Sequence, residues 1–391
     1  MNEPLKICHV ITRMIVGGAQ ENTLLTVAGH LRKGHEVVLV TGPSPGREGQ
    51  LLQNVDVPPC EIVQIPSLVR ELDPVNDAKA YRELVRFFRE RRFDVVHTHT
   101  SKAGIIGRLA ARRAGVPVVV HTVHGQAFHP YEKPWRNAIY KIAERIAAQS
   151  SDRIFAVAQA MIDQCVAARI APREKYKVVY SGMETERFAS ARPEPELRQE
   201  LGIPENARVV VTAARLFPQK GYEYVIPAAK RLIALHPETH LLIVGDGPMY
   251  DGIRAELERD GVADHFHFAG LVPPAQVARY LALGNVLWHL SLHEGLPRSV
   301  VQALAVGIPA VGFRLDGTPE VVIDGETGFC TDPESVDQVV EATLRIWEEP
   351  GLGARLGATG KSRVVARFDW HRMCDILEAE YRALREMKTA Q

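Results

Sequence analysis

Short apolar runs, separated by helix-length segments of mixed polarity, recur along nearly the whole chain. In the first half the runs are KICHVIT (6–12), EVVLVTG (36–42), CEIVQIP (60–66), DVVHTH (94–99), PVVVHTV (117–123), RIFAVA (153–158) and KVVYSG (177–182). They are rich in β-branched residues and nearly continuous rather than alternating, the pattern of parallel strands covered on both faces. Between them lie segments such as AQENTLLTVAGHLRKG and AKAYRELVRFFRERR. Strand–helix alternation of this kind predicts an α/β fold with a doubly wound parallel sheet.

A stretch rich in Pro and charge, ASARPEPELRQELGIPENA, interrupts the pattern, and then the alternation restarts. RVVVTAARL (208–216), THLLIVGDGP (239–248), HFHFAGL (265–271), NVLWHLS (285–291) and PAVGFRL (309–315) form a second set of strands. The boundary falls near residues 183–195. It separates a Rossmann-like domain over 1–185 from a second over 186–370, with a closing helix over 371–391. A length of 391 residues suits two cores better than one. Ligands of open parallel sheets lie beyond the carboxyl ends of the strands, so the expected site is the cleft between two such domains.

Composition changes this picture little, and charge changes it more. Apolar residues make up 46% and charged residues 24%, an ordinary globular mixture. The net charge is zero, but residues 1–180 carry 25 Lys and Arg against 17 Asp and Glu, and the rest carry 22 against 30. A basic first half suits a phosphorylated substrate or peripheral contact with an anionic membrane, and a scatter of solvated Arg explains it equally well. Nucleic acid is not an expected partner. Five widely spaced cysteines without a C-x-x-C pair indicate neither a disulfide framework nor a zinc site, and fit a reducing cytosol. No signal peptide is recognised, and no apolar stretch approaches the ~20 residues that span a bilayer.

The candidate chemistry sits on loops at strand ends. Gly17 and Gly18 follow the first strand, where absent side chains let a phosphate approach backbone N–H groups; a tight turn alone also explains them. Arg215 and Lys220 follow the first strand of the second half, as a clamp for a diphosphate or as two solvated cations. In VGDGP (244–248), Asp246 either caps the next helix or contacts a ligand, with capping the stronger reading. In SLHEGLPRSVVQALAVGIPAV (291–311), Ser299-x-x-Gln302 has the form of a capping box, which gives Gln302 a structural explanation. Glu294 has no such explanation. A carboxylate there can accept hydrogen bonds from sugar hydroxyls, while the Gly295 and Leu296 amides can face phosphate oxygens.

His97 and His99, spaced by two along a strand, raise the question of a zinc site with His121 and His124, but no acidic or cysteine ligand lies nearby in sequence. His124 precedes Gly125 at a strand's carboxyl end and suits hydrogen bonding to a substrate. No Asp-x-Asp pair, which would suit a metal–diphosphate bridge, occurs in the chain.

Together GGAQ, HTVHG, ARLFPQKG, VGDGP, EGLPRSVVQALAVGIPAV and DGTPEVVIDGETGF resemble, in order, the motifs of retaining GT-B glycosyltransferases of family four. The resemblance runs from about residue 6 to residue 370, and FDWHRMCDILEAEYRAL is similar to the family's closing helices, which cross back onto the first domain. It implies two Rossmann-like domains, with a UDP- or GDP-sugar on the second and the acceptor on the first. It implies that Glu294 contacts donor-sugar hydroxyls, that Arg215 and Lys220 hold the diphosphate, that Gly17 and Gly18 lie near phosphate, and that His124 faces the donor sugar. It further implies transfer with retention, the departing phosphate oxygen helping to take the acceptor's proton, and no metal or other cofactor.

Two positions depart from the family pattern. The second glutamate, eight residues after the first, is Gln302 here, whose amide can still hydrogen-bond a ribose diol. The Asn-Gly before the linker is Ser181-Gly182. VVHTHTSKAGIIGRLAARRAGVP is similar to members that build bacterial surface polysaccharide on polyprenyl-diphosphate lipids. The expected enzyme is thus a cytoplasmic, peripheral hexosyl- or N-acetylhexosaminyl-transferase acting on a glycan or lipid-linked acceptor. An inverting transferase, a sugar-nucleotide epimerase and a non-catalytic sugar-nucleotide binder remain alternatives. A dehydrogenase is disfavoured because neither half carries G-x-G-x-x-G.

Overall fold

Continuous β-branched runs, each followed by a helix, produce two wholly parallel sheets in the computed structural model, which describes residues 3–44 and 51–389. Residues 1, 2, 390 and 391, at the ends of the expected domains, lie outside the described residues. The chain divides into two units, residues 1–183 with 370–391 and residues 184–369.

The first sheet contains β1 (Lys6–Ile11), β2 (Glu36–Thr41), β3 (Glu61–Gln64), β4 (Val95–His99), β5 (Val118–Val123), β6 (Arg153–Ala156) and β7 (Tyr176–Val178). Their order is β3-β2-β1-β4-β5-β6-β7. The second contains β8 (Arg208–Ala213), β9 (Thr239–Val244), β10 (Phe266–Gly270), β11 (Val286–His289), β12 (Ala310–Phe313) and β13 (Gly328–Thr331), ordered β10-β9-β8-β11-β12-β13. In both sheets the winding direction reverses beside the first strand, between β1 and β4 and between β8 and β11. Loops diverge at such a reversal and leave a crevice at the strands' carboxyl ends.

The apolar runs mark the strands but overrun them. The expected strands over 208–216 and 239–248 stop at Ala213 and Val244, because Gly245 turns at φ 148° and the segment beyond β8 bonds to neighbouring loops instead of a ladder. The sixth strand of the second sheet, β13, is not legible as an apolar run; GFCT holds one large apolar residue and pairs with β12 at the sheet edge.

The helix Trp370–Thr389 belongs to the first unit. Its Trp370, Met373, Leu377, Tyr381 and Leu384 join Leu5, Ile7, Val95, Val118 and Phe155 in one buried cluster. The chain leaves this unit at Met183 and returns at Trp370, whose amide donates to the Met183 carbonyl at 3.2 Å. No described helix is long and apolar enough to cross a membrane.

The first core also encloses a row of imidazoles. His30 Nδ1 lies 3.3 Å from His9 Nε2, His9 Nδ1 lies 3.0 Å from His99 Nε2, and His99 Nδ1 lies 3.0 Å from His124 Nε2. His97 bonds the Tyr381 hydroxyl at 2.5 Å and the Thr122 hydroxyl at 2.7 Å. The row is consistent with one tautomer throughout. With a proton on every Nδ1, each link has one donor and one acceptor, and the unpartnered, buried His30 Nε2 carries a lone pair rather than an N–H. Burial pushes His9 down to about 3 and His30, His97, His99 and His121 well below 6.5, which holds these five rings neutral.

An unfolded chain titrates its histidines near 6.5, so below that value it binds protons that the folded chain refuses. Stability is therefore complete above about pH 6.5 and falls as pH drops toward the depressed folded values. Urea unfolding at pH 7.5 and pH 5.0 is expected to show a markedly lower midpoint at pH 5.0; an equal or higher midpoint would contradict neutral burial of the row.

Candidate functional site

The crevice of the second sheet is built by the loops after β8 and β11, the two strands at its reversal. The segment 214–221 is tied down at both ends. The Ala214 amide donates to Val244 O at 3.1 Å, the Leu216 amide to Asp246 O at 3.0 Å, and the Lys220 amide to Phe217 O at 3.2 Å. Gly221, at φ 80°, lets this loop touch the end of β11: an added Cβ would lie 2.0 Å from the Leu290 carbonyl oxygen. The Leu292 amide then donates to Gln219 O at 2.9 Å. Only a residue without a side chain permits that approach at that dihedral.

This lacing brings Lys220 to Glu294, with Nζ 2.6 Å from Oε1. Both side chains are 22% exposed. Burial pushes the Glu294 carboxyl up, but the Lys220 ammonium and its hydrogen bond, with His289 and Ser291, outweigh this and hold the group at about 2. At neutral pH Glu294 is thus an anion that only accepts hydrogen bonds. Its own amide donates to the Asp316 carboxylate at 2.6 Å, and the Gly317 amide donates to Gly295 O at 3.1 Å, so a third loop fixes the Glu294 backbone. Gly295 and Leu296 are buried beside it.

Behind Glu294 begins the helix Arg298–Val306, whose N-cap is Pro297 with no side-chain cap. The amide ends of its first turn favour an anion. The expected capping box is absent. Ser299 lies inside the helix rather than at the cap, and its hydroxyl lies 3.4 Å from His289 Nδ1. Gln302, half-buried in the second turn, is therefore not half of a box. Asp246 also departs from its expected cap: it is exposed and accepts from the adjacent Gly247 amide at 2.7 Å, while the next helix starts at Tyr250 without a side-chain cap. The Arg215 guanidinium lies 4.8 Å from the centre of the Phe217 ring, an arrangement that holds a cation at the loop.

Three residues of this constellation escape sequence reasoning. His289 is buried, 3.9 Å from Glu294, and held below 6.5 by its burial. Asp316 anchors the Glu294 amide, and His293 lies 3.6 Å from Asp316. The alternation WHLSLHE places His289 and His293 near Glu294 in sequence, yet only the fold shows which of them turns toward it.

Gly17, Gly18 and His124 belong to the first unit, and the remaining candidates to the second. Gly17 caps the helix Gly18–Arg32 in an extended conformation, φ 179°, so its turn demands no left-handed backbone; a Cβ there would meet Gln20 Oε1 at 2.9 Å. His124, half-buried at the outer end of the imidazole row, lines a cavity of about 230 Å³ with Thr122, Gly125, Arg108 and Glu144. A wider groove of about 850 Å³ in the same unit is lined by Arg13, Arg70, Lys102 and Arg136, by Glu71, Asp77 and Glu132, and by Leu72 and Ile139. Among the described residues, the one group of three or more His, Cys, Asp or Glu with ligand atoms near enough to share an ion is His9, His97 and His99, all within 4.8 Å. Both His97 nitrogens face hydroxyls, those of Tyr381 and Thr122.

Comparison with known proteins is consistent along the chain. Residues 17–182 match the model of a glycosyl transferase 4-like domain, and residues 193–363 match that of glycosyl transferases group 1. The UDP-Gal:alpha-D-GlcNAc-diphosphoundecaprenol alpha-1,3-galactosyltransferase of Escherichia coli is 28% identical over 381 residues, 96% of each chain. The D-inositol 3-phosphate glycosyltransferase of Acidothermus cellulolyticus is 31% identical over 319 residues, 76% of this chain and 69% of the relative. In fold, the chain matches Anabaena HepE solved with UDP and glucose, at TM-score 0.80 and 21% identity over 96% of this chain and 99% of that one. Sucrose-phosphate synthase of Thermosynechococcus elongatus aligns at TM-score 0.83 and 19% identity, over 97% and 99%. The chain belongs to the group 1 glycosyl transferases and is a sugar-transferring enzyme of the GT-B fold.

Proposed function

We propose that this enzyme moves a hexose or N-acetylhexosamine, with retention, from a UDP- or GDP-sugar to a polyprenyl-diphosphate-linked or glycan acceptor in surface polysaccharide synthesis. The observation that carries the reading is the Lys220–Glu294 pair at the reversal point of the second sheet, 2.6 Å apart, with Glu294 held ionised at neutral pH. The galactosyltransferase relative, whose printed acceptor is a GlcNAc-diphosphoundecaprenol, supports the acceptor class, and HepE with UDP and glucose supports the donor class.

In this reading Arg215 and Lys220 hold the donor diphosphate, and the Gly295 and Leu296 amides and the helix start at Arg298 add neutral donors to it. Glu294, an obligate acceptor, takes hydrogen bonds from sugar hydroxyls, so the sugar is oriented by an anion and its leaving group by cations. Gln302 donates to and accepts from the ribose hydroxyls. As the glycosidic bond breaks, charge grows on the departing phosphate oxygen. Fixed cations stabilise that charge without reorganising. The same oxygen takes the proton of the incoming acceptor hydroxyl on the face it leaves, which keeps the anomeric configuration. His124 contacts the donor sugar, and Gly17 and Gly18 approach phosphate. No metal is needed, because cationic side chains supply the charge. Such an enzyme works at the cytoplasmic face of the membrane, where its sugar nucleotides are made.

Two experiments test this. Glu294→Ala and Lys220→Ala are expected each to lower kcat/KM by about a hundredfold or more while the proteins stay folded, with a lower Tm for Lys220→Ala because it leaves a carboxylate unpaired. Near-normal turnover in both variants would remove the reading. Product analysis by NMR should give the donor's anomer, with the rate unchanged by EDTA. An inverted anomer, an epimer formed without acceptor, or loss of activity on chelation would each replace it with another chemistry.

A further inference from the structure

The helix Pro134–Gln149 is turned inside out. Trp135, Ile139, Ile142 and Ile146 recur at spacings of four, three and four, which puts them on a single stripe of the helix. A stripe of that kind ordinarily faces a core. Here those four residues are 55%, 45%, 54% and 51% exposed, and Tyr131, just before the helix, is 45% exposed. The residues that the helix buries are Ala147 and Ala148. Its inward side carries Glu144, bonded at 2.6 Å to the fully buried Arg108. Large apolar groups therefore point to solvent, and small or ionic groups point to the protein.

Charge tells what covers the stripe. Arg136 borders it on one side and Arg145 on the other, at helical angles of roughly 100° per residue. Arg145 also donates to the Ala168 and Arg169 carbonyls at 2.8 and 2.9 Å. Exposed Lys133 precedes the helix, and Lys141 lies nearer the inward side, 5.5 Å from the centre of the Phe128 ring. The acids nearby are engaged: Glu132 lies 3.7 Å from Arg136, and Glu144 faces inward. The result is an apolar stripe flanked by an Arg on each side, with a Trp, a Tyr and Lys133 at one end, the make-up of a helix lying in a lipid headgroup layer. Residues 1–180 carry a net positive charge, 25 basic against 17 acidic residues. The wider groove of the first unit also begins on this helix, since Arg136 and Ile139 line both.

We infer that the helix Pro134–Gln149 is the surface by which the enzyme docks on an anionic bilayer. Trp135, Ile139, Ile142 and Ile146 enter the acyl boundary, and Lys133, Arg136 and Arg145 meet lipid phosphates. The inference deepens the proposed lipid-linked acceptor, because docking brings the Arg136–Ile139 mouth of the groove to the depth of lipid headgroups. It is measured without any substrate, so docking and sugar transfer can fail separately.

The full chain is mixed with phosphatidylcholine vesicles with or without phosphatidylglycerol. Sedimentation should carry the protein down with the phosphatidylglycerol vesicles, with a blue shift of tryptophan emission that Trp135→Phe removes. Ile142→Glu with Ile146→Glu should weaken partitioning about tenfold or more, and Lys133→Glu should weaken the preference for anionic lipid. All these sites are on the surface, so circular dichroism and Tm should stay at the parent values, as should transfer to a water-soluble acceptor. Failure of the parent protein to bind phosphatidylglycerol vesicles overturns the inference. So does unchanged binding by the Ile142→Glu, Ile146→Glu protein, or a dimer in sedimentation velocity that this substitution dissolves, since the stripe would then belong to a second copy. Vesicle binding without any transferase activity would leave docking in place and remove the proposed function.

Discussion

A carboxylate withdrawn from water at the end of a buried strand stays ionised only if a cation stands beside it. In this protein that carboxylate is Glu294, and the cation is Lys220 at 2.6 Å. Much of the second unit can be read as the means of holding the two together. The parallel order reverses between β8 and β11, so their loops emerge as neighbours. Gly221 allows one loop to rest on the carbonyl at the end of the other strand, and Asp316 fastens the backbone of Glu294 from a third direction. Each step is local chemistry, and together they place a fixed anion and a fixed cation at one crevice.

The first unit meets the problem of buried polar groups differently. His9, His30, His97 and His99 are wholly buried without a counter-ion, and burial keeps them neutral. The rings bond to one another, and Tyr381 of the returning helix bonds His97 beside them. That helix is thus part of the first core and not an appendage to it. One unit keeps charge at its site by pairing, and the other keeps its polar core uncharged.

The alternation of apolar runs and helical segments made both sheets legible, because strands buried on two faces must be continuously apolar. β13 was not legible, because an edge strand of four residues can be GFCT and still pair. The loops were legible as places but not as geometries. Glycines and charged residues after β8 and β11 marked the crevice, whereas the contact of Lys220 with Glu294 spans 74 positions and depends on the sheet order. Local rules misled at Asp246 and Ser299, where cap-like patterns lie next to helices that start elsewhere. The outward stripe of Trp135, Ile139, Ile142 and Ile146 has the same periodicity as an inward one, so its direction could not be read before the fold was known.

The central claim is that Lys220 grips the donor's diphosphate while Glu294 reads its sugar. Calorimetric titration of UDP and of a UDP-hexose into the parent protein, Lys220→Ala, Glu294→Ala and the double variant separates these roles. The account predicts that Lys220→Ala weakens both ligands, and that Glu294→Ala weakens the UDP-hexose while leaving UDP nearly unchanged. Equal affinity of all four proteins for both ligands would contradict it.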